Sequence, residues 1–192
     1  MPVEAQLTET NRNAKPPYNR KEEIIHNAKR YRVYNNYLTL GGGFFYSNIR
    51  SDLQQAICID YQFHIRRQQF QIGVMMSGDE FRSNNNIQAH VGYGYRQEKR
   101  KSNLAVFGGL TYYNGVVGSK DSIPIPILYD GFGGYLSFQA IRKLTYDLGV
   151  GLEFMAEVTP QQNMLGIKFI AFFSGAYRGS ARNYNPNVRK KQ

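Results

Sequence analysis

The sequence predicts an all-β chain: eight antiparallel strands in an up-and-down meander, closed into a barrel. Two observations carry that prediction. The first is "LTYDLGVGLEFMAEV", residues 144–158, in which apolar or aromatic side chains occupy every second position over fifteen residues. Period two is the signature of an extended strand with two chemically different faces. The second is composition. The 192 residues include 19 Gly, 15 Tyr and 12 Phe but no Trp, a mixture that suits sheet rather than helix.

Taken in order, residues 1–32 read as a polar, irregular segment with one short helix expected around "KEEIIHNAKR". Val3, Glu4 and Ala5 ahead of Gln6 have the look of the small-residue tail of a signal-peptidase site, and an ordinary start at Met1 fits equally well. Eight strands follow, at 34–46, 53–66, 69–78, 86–96, 103–114, 130–141, 145–158 and 163–178. The first sets Leu38, Leu40 and Phe44 against Thr39, Gly41 and Gly43. The second sets Ile57, Ile59, Tyr61 and Phe63 against Asp60, Gln62 and His64. In the third, Phe70, Ile72, Val74 and Met76 alternate with Gln71, Gly73 and Ser77. The fourth alternates Ile87, Val91, Tyr93 and Tyr95 with Gln88, His90, Gly92 and Gly94. The fifth and sixth carry Leu104, Val106, Leu110, Tyr112, Phe132, Leu136 and Phe138 against Gly109, Thr111, Gly133, Ser137 and Gln139. The eighth carries Leu165, Ile167, Phe169 and Phe173 against Gly166, Lys168 and Ser174. This divides the chain into a polar segment (1–32), a barrel (33–178) and a basic tail (179–192).

The connections alternate in length and charge. Those after the second, fourth and sixth strands ("RRQ", "QEKRKS", "RKL") are tight and carry Arg67, Lys99, Arg100, Lys101, Arg142 and Lys143 against Glu98 alone. The longer ones carry Arg50, Arg82 and Lys120 against Asp52, Asp79, Glu80, Asp121 and Asp130, with Pro124 and Pro126 interrupting the longest. In a meander these two sets lie at opposite ends of the sheet, so one end is basic and holds both tails.

Alternation alone does not say which face is inside. A water-soluble barrel or sandwich would turn the apolar face inward. The other face is rich in Gly, Gln and Ser with a few charges of both signs, which suits a crowded interior better than a solvated surface. The aromatic residues Tyr34, Tyr46, Tyr93, Tyr95, Tyr112, Tyr146 and Tyr177 gather near strand ends, in the manner of the aromatic girdles of a barrel in lipid. Strands of about 10–14 residues, tilted by roughly 45°, span the roughly 25 Å apolar band of an outer membrane. The expected fold is therefore a transmembrane β-barrel with lipid outside. Asp60, His64, His90, Gln139, Asp147, Glu153, Glu157 and Lys168 are then expected to form a polar network inside. A four-residue turn at "TPQQ" sets Glu153 opposite Lys168, and a three-residue turn at "RKL" sets Gln139 beside Asp147. Buried charges require such partners.

These strands resemble the small eight-stranded outer-membrane barrels of the OmpA/OmpX type over residues 34–178, and their Gly- and Tyr-rich composition is similar to small barrels of Bacteroidota. The chain departs from that pattern in lacking Trp and in continuing fourteen residues past Arg178. The resemblance implies a bacterial outer-membrane location with both termini and the basic turns periplasmic. It also implies membership, in some relatives, of envelope export or assembly machines, including type IX secretion.

An eight-stranded interior is just wide enough for its own side chains, so a solute pore is not expected. Some small outer-membrane barrels modify lipids, which makes His64, His90, Asp60, Glu153, Glu157 and Ser174 the catalytic candidates. A satisfied polar network accounts for them better, since no His-x-Ser spacing occurs. His26, His64 and His90 are too dispersed for a metal site, and the lone Cys58 allows no internal disulfide. "GYGYRQ" is not a phosphate loop, because no helix follows it. The net charge of +10 raises nucleic acid as a partner, but the cations sit at one end and in the tails rather than among the aromatics. The expectation is a non-enzymatic barrel without cofactor, metal or nucleic acid. Its expected partners are outer-membrane lipid and the proteins of an envelope complex, in which it serves as an accessory subunit docking through its tails. A lipid-modifying enzyme and a soluble binding module are the alternatives.

Overall fold

The computed structural model describes residues 23–26, 29–48, 53–65, 68–78, 86–117, 127–160 and 162–180. Met1–Ala5, Arg67 and most of the longer connections fall outside the described residues, as does the tail beyond Ser180. Two short strands come first, β1 (Glu23–His26) and β2 (Lys29–Arg32). Eight longer ones follow: β3 (Tyr37–Ser47), β4 (Leu53–Ile65), β5 (Gln68–Gly78), β6 (Asn86–Glu98), β7 (Ser102–Val117), β8 (Ile127–Lys143), β9 (Leu148–Val158) and β10 (Asn163–Ser174). The short β11 (Tyr177–Ser180) ends the described chain. Strands β3 to β10 pair antiparallel in sequence order, and β10 pairs back onto β3 from Met164–Ser47 to Ser174–Tyr37, which closes the barrel. Closure leaves no long strand with an open edge.

The apolar face of every barrel strand points out. Phe132 is 71 % exposed, Phe169 67 % and Leu110 63 %, whereas Asp60, Glu153 and Lys168 are fully buried. The soluble arrangement, with apolar side chains inward, is not the one adopted. Inside, apolar residues form layers between the polar ones, such as Phe45, Met75, Phe107, Met155 and Met164 in one layer. Tyr37, Ile141, Ile170 and Phe172 form a second.

Turn chemistry sets the register. At β9–β10, Thr159 and Gln162 exchange hydrogen bonds of 2.8–2.9 Å through backbone and hydroxyl, which fixes a four-residue turn and places Lys168 opposite Glu153. At β6–β7 the Lys99 amide donates to the Ser102 carbonyl (2.8 Å), making a tight basic hairpin. The β8–β9 turn differs from the three-residue "RKL" reading. Lys143 pairs with Gly149, and the turn is held by Leu144 and Thr145 amides donating to the Leu148 carbonyl. The extra residues shift the register, so Gln139 lies opposite Glu153 and not beside Asp147.

The segment before the barrel is not helical where described. "EIIH" and "KRYR" pair as an antiparallel hairpin, and β11 pairs with β2, giving a three-stranded sheet β1-β2-β11 outside the barrel. The barrel strand read as 163–178 therefore stops at Ser174, and Tyr177 belongs to this second sheet. Tyr31 of β2 packs on Tyr146 with ring centroids 4.9 Å apart and shares a buried cluster with Ala176. The Arg32 amide donates to the Ala176 carbonyl (2.8 Å). The small sheet is thus anchored on one mouth of the barrel, the tail end; the opposite mouth is the loop end.

Candidate functional site

The centre of the barrel holds a fully buried ionic network drawn from four strands. Lys168 of β10 lies 3.2 Å from a Glu153 oxygen and 3.5 Å from Asp60, and Asp60 lies 2.9 Å from His90 Nε2. Gln139 donates to Glu153 (3.2 Å), and the Tyr37 hydroxyl donates to Gln139 (2.9 Å). One cation shared by two carboxylates, with the Gln139 amide donating to Glu153 and the Tyr37 phenol fixing that amide, is what makes buried charge tolerable. The wall between and beside Asp60 and His90 has to leave room. A Cβ at Gly73 would run into the Asp60 carboxylate and the His90 ring, and one at Gly92 would run into the Tyr135 hydroxyl. Tyr135 and Ser137 donate to Gln71 (both 3.2 Å), and the Tyr135 ring lies 4.7 Å from that of His90. Toward the loop end, the Thr111 hydroxyl donates to Glu157 (3.3 Å). With its nitrogen turned to that carboxylate, Gln88 donates to both Glu157 oxygens (2.8 and 3.1 Å).

Two residues expected in this network sit elsewhere. His64 lies half-buried at the end of β4, with Nδ1 2.9 Å from the Asn36 side-chain oxygen. Asp147 lies in the β8–β9 turn, where it accepts from the Ala176 amide (2.9 Å) and the Ser174 hydroxyl (3.3 Å) and ties the end of β10 to that turn. The catalytic candidates are therefore engaged separately: Ser174 with Asp147, His64 with Asn36 and His90 with Asp60. The structure does not assemble them into a nucleophile–base pair. Cys58 is buried in the apolar layer, its thiol facing the Gly41 carbonyl (3.5 Å).

The tail-end mouth carries a second ionic cluster. Glu98, at the end of β6, pairs with Arg96 (3.0 Å) and with Lys143. It also accepts from the backbone amide of Tyr34 (2.7 Å), a residue held in the left-handed region at φ 54°. Arg96 donates to Asn103 (2.7 Å) and to the Asn35 carbonyl (2.6 Å) and lies over the Tyr37 ring at 4.4 Å. Residues 33–36 thus cross the mouth and are pinned to the barrel by backbone contacts. Tyr146, expected in the aromatic girdle, is instead buried beneath Tyr31 with the Lys143 ammonium 3.9 Å from its ring. Burial raises its pKa, with nearby Glu98 adding to the effect, so the phenol stays neutral. Lys143, expected in an exposed basic turn, is buried here, whereas Lys99, Arg100, Lys101 and Arg142 are exposed.

On the outer wall the aromatics fall at both ends. Tyr61, Phe63, Phe70 and Tyr93 make a chain of ring contacts of 5.5–5.9 Å toward the tail end, with Tyr95 beyond them. Tyr46 lies toward the loop end, as do Tyr112 and Phe132, whose rings contact at 5.0 Å. Tyr34 and Tyr177 lie outside the barrel strands. The reading from sequence missed Arg96 and Glu98 as inward groups, although both continue the parity of His90, Gly92 and Gly94. It also left Tyr61, Phe63 and Phe70 out of the girdle, although all three share its apolar face.

No protein-family model and no curated protein matches the chain. Solved structures do. The chain is similar to Neisserial surface protein A (TM-score 0.58, 8 % identity), covering 72 % of this chain and 96 % of that one. It is similar to Ail, the attachment invasion locus protein of Yersinia pestis (TM-score 0.53, 8 % identity), covering 76 % and 99 %. It is also similar to the N-terminal β-barrel domain of Pseudomonas aeruginosa OprF (TM-score 0.55, 8 % identity), covering 72 % and 96 %. At this identity the likeness speaks for the fold, that of the small eight-stranded outer-membrane barrels.

Proposed function

We propose that the protein is a non-enzymatic integral barrel of a bacterial outer membrane, serving as an accessory subunit of an envelope export or assembly complex. A predominantly apolar outer wall around a charged interior supports the membrane setting, because a wall of that extent exposed to water would drive aggregation. The tail end faces the periplasm in this reading, by analogy with small barrels of the same topology, and the Gly- and Tyr-rich strand composition is what supports a Bacteroidota lineage.

One observation carries the docking role. β2 and β11 pair outside the barrel, with Tyr177 opposite Tyr31 and Ser180 opposite Lys29. Segments almost 150 residues apart in sequence thus share one platform seated on the mouth. Two tails joined to one anchored platform engage a partner at a smaller entropic cost than two independent flexible arms.

The test is a mild-detergent pull-down from native membranes, comparing the full chain with one lacking residues 1–32 and 179–192. The shortened chain keeps its heat-dependent gel mobility and loses the partner. A partner retained on the shortened chain places docking on the outer wall or the loop-end connections. His90→Ala and Glu153→Gln leave lipid acylation profiles unchanged; an altered profile with an intact barrel would establish the enzyme alternative.

A further inference from the structure

Resting on the membrane reading above, we infer that the exposed cations at the tail end of β6–β8 form a collar that binds anionic lipid headgroups. Tyr93 and Tyr95 stand outward on β6, 56 % and 69 % exposed, at the level where aromatic rings of a membrane barrel meet the headgroups. The same strand runs on into the hairpin of Lys99 and Lys101, both exposed. Arg142 of β8 is exposed too and lies opposite Ser102, two residues beyond the outward pair Leu104–Ala140. That spacing is roughly 7 Å along a strand. Arg142 therefore sits at the rim of the apolar wall, where its aliphatic stem follows the wall and its guanidinium reaches the headgroup phosphates.

The mouth's own described carboxylates do not take up the charge of Lys99, Lys101 and Arg142. Among the described side chains at this end, both carboxylates are turned inward. Glu98 is taken by Arg96 and Lys143, and Asp147 by the Ala176 amide and Ser174. Lys99, Lys101 and Arg142 thus face outward with no carboxylate among the described side chains paired to them. Phosphatidylglycerol-type headgroups, which carry a net negative charge, fit this collar better than zwitterionic ones.

The experiment is native mass spectrometry of the full chain released from micelles holding equal amounts of phosphatidylglycerol and phosphatidylcholine. The comparison is with the triple variant K99Q/K101Q/R142Q, and heat-dependent gel mobility is read in parallel. The wild type retains phosphatidylglycerol in preference, by about fivefold for each cation engaged. The triple variant keeps its mobility shift and falls toward parity, and free inorganic phosphate does not displace the lipid. Equal retention of both lipids by the wild type would overturn the collar. So would an undiminished preference in the triple variant, or displacement by free phosphate. A wild type without a mobility shift would instead sink the membrane barrel, and the collar with it.

Discussion

The two ionic clusters inside this barrel use the same chemistry for different ends. At the centre, Lys168 holds Asp60 and Glu153, and every partner belongs to a barrel strand. At the tail-end mouth, Glu98 holds Arg96 and Lys143 and also the backbone of Tyr34, so its partners include the chain that covers the mouth. The first cluster ties wall to wall; the second ties barrel to platform. A buried ionic group thus acts on whatever its last hydrogen bond reaches. Damage at the centre should be felt by the whole barrel, and damage at the mouth mainly by the platform.

The largest expected effect comes from Lys168→Met, which strands two buried carboxylates. It should cost about 3–5 kcal/mol, read as a lower urea midpoint and a smaller heat-shifted fraction on gels. The triple variant Lys168→Met, Asp60→Asn, Glu153→Gln should recover much of that loss, since no uncompensated charge remains. A triple variant as unstable as the single would mean that packing, not charge, dominates the centre. Next is Gly73→Val, whose side chain must displace Asp60 and His90; overpacking of this kind costs about 1–3 kcal/mol.

Glu98→Gln should move barrel stability less, by about 1–2 kcal/mol, because Arg96 keeps its bonds to Asn103 and the Asn35 carbonyl and the amide oxygen of Gln can still accept. Limited proteolysis is the discriminating readout, with cleavage within residues 33–36 rising sharply while the barrel core stays protected. Equal loosening of core and cover would erase the distinction between the clusters. The smallest effect belongs to Lys101→Gln, an exposed collar position, whose urea midpoint should be indistinguishable from wild type.

The barrel was legible in the sequence because period two survives along all eight barrel strands, and the Gly- and Gln-rich face announced a crowded interior. The opposition of Glu153 and Lys168 was readable because "TPQQ" makes a turn of a common length. The β8–β9 turn was not. Leu144 and Tyr146 prolong the alternation of β9 through residues that in fact turn, so the strand looked longer and the register slipped. The platform was hidden for another reason. "EIIH" and "KRYR" are short and rich in residues that also favour helix, and the strand that completes their sheet lies almost 150 residues away. Glu98 reads in the sequence as one charge among the turn residues, since nothing local says that its side chain folds back into the mouth.

The central claim is that the apolar wall meets lipid. The chain has no Trp, so Phe169→Trp in the middle of β10 provides a single fluorophore at a position 67 % exposed on that wall. The measurement is its fluorescence in vesicles with brominated acyl chains, compared with quenching by aqueous iodide. The account predicts strong quenching by the brominated chains and almost none by iodide. Emission quenched by iodide and indifferent to brominated lipid would contradict it.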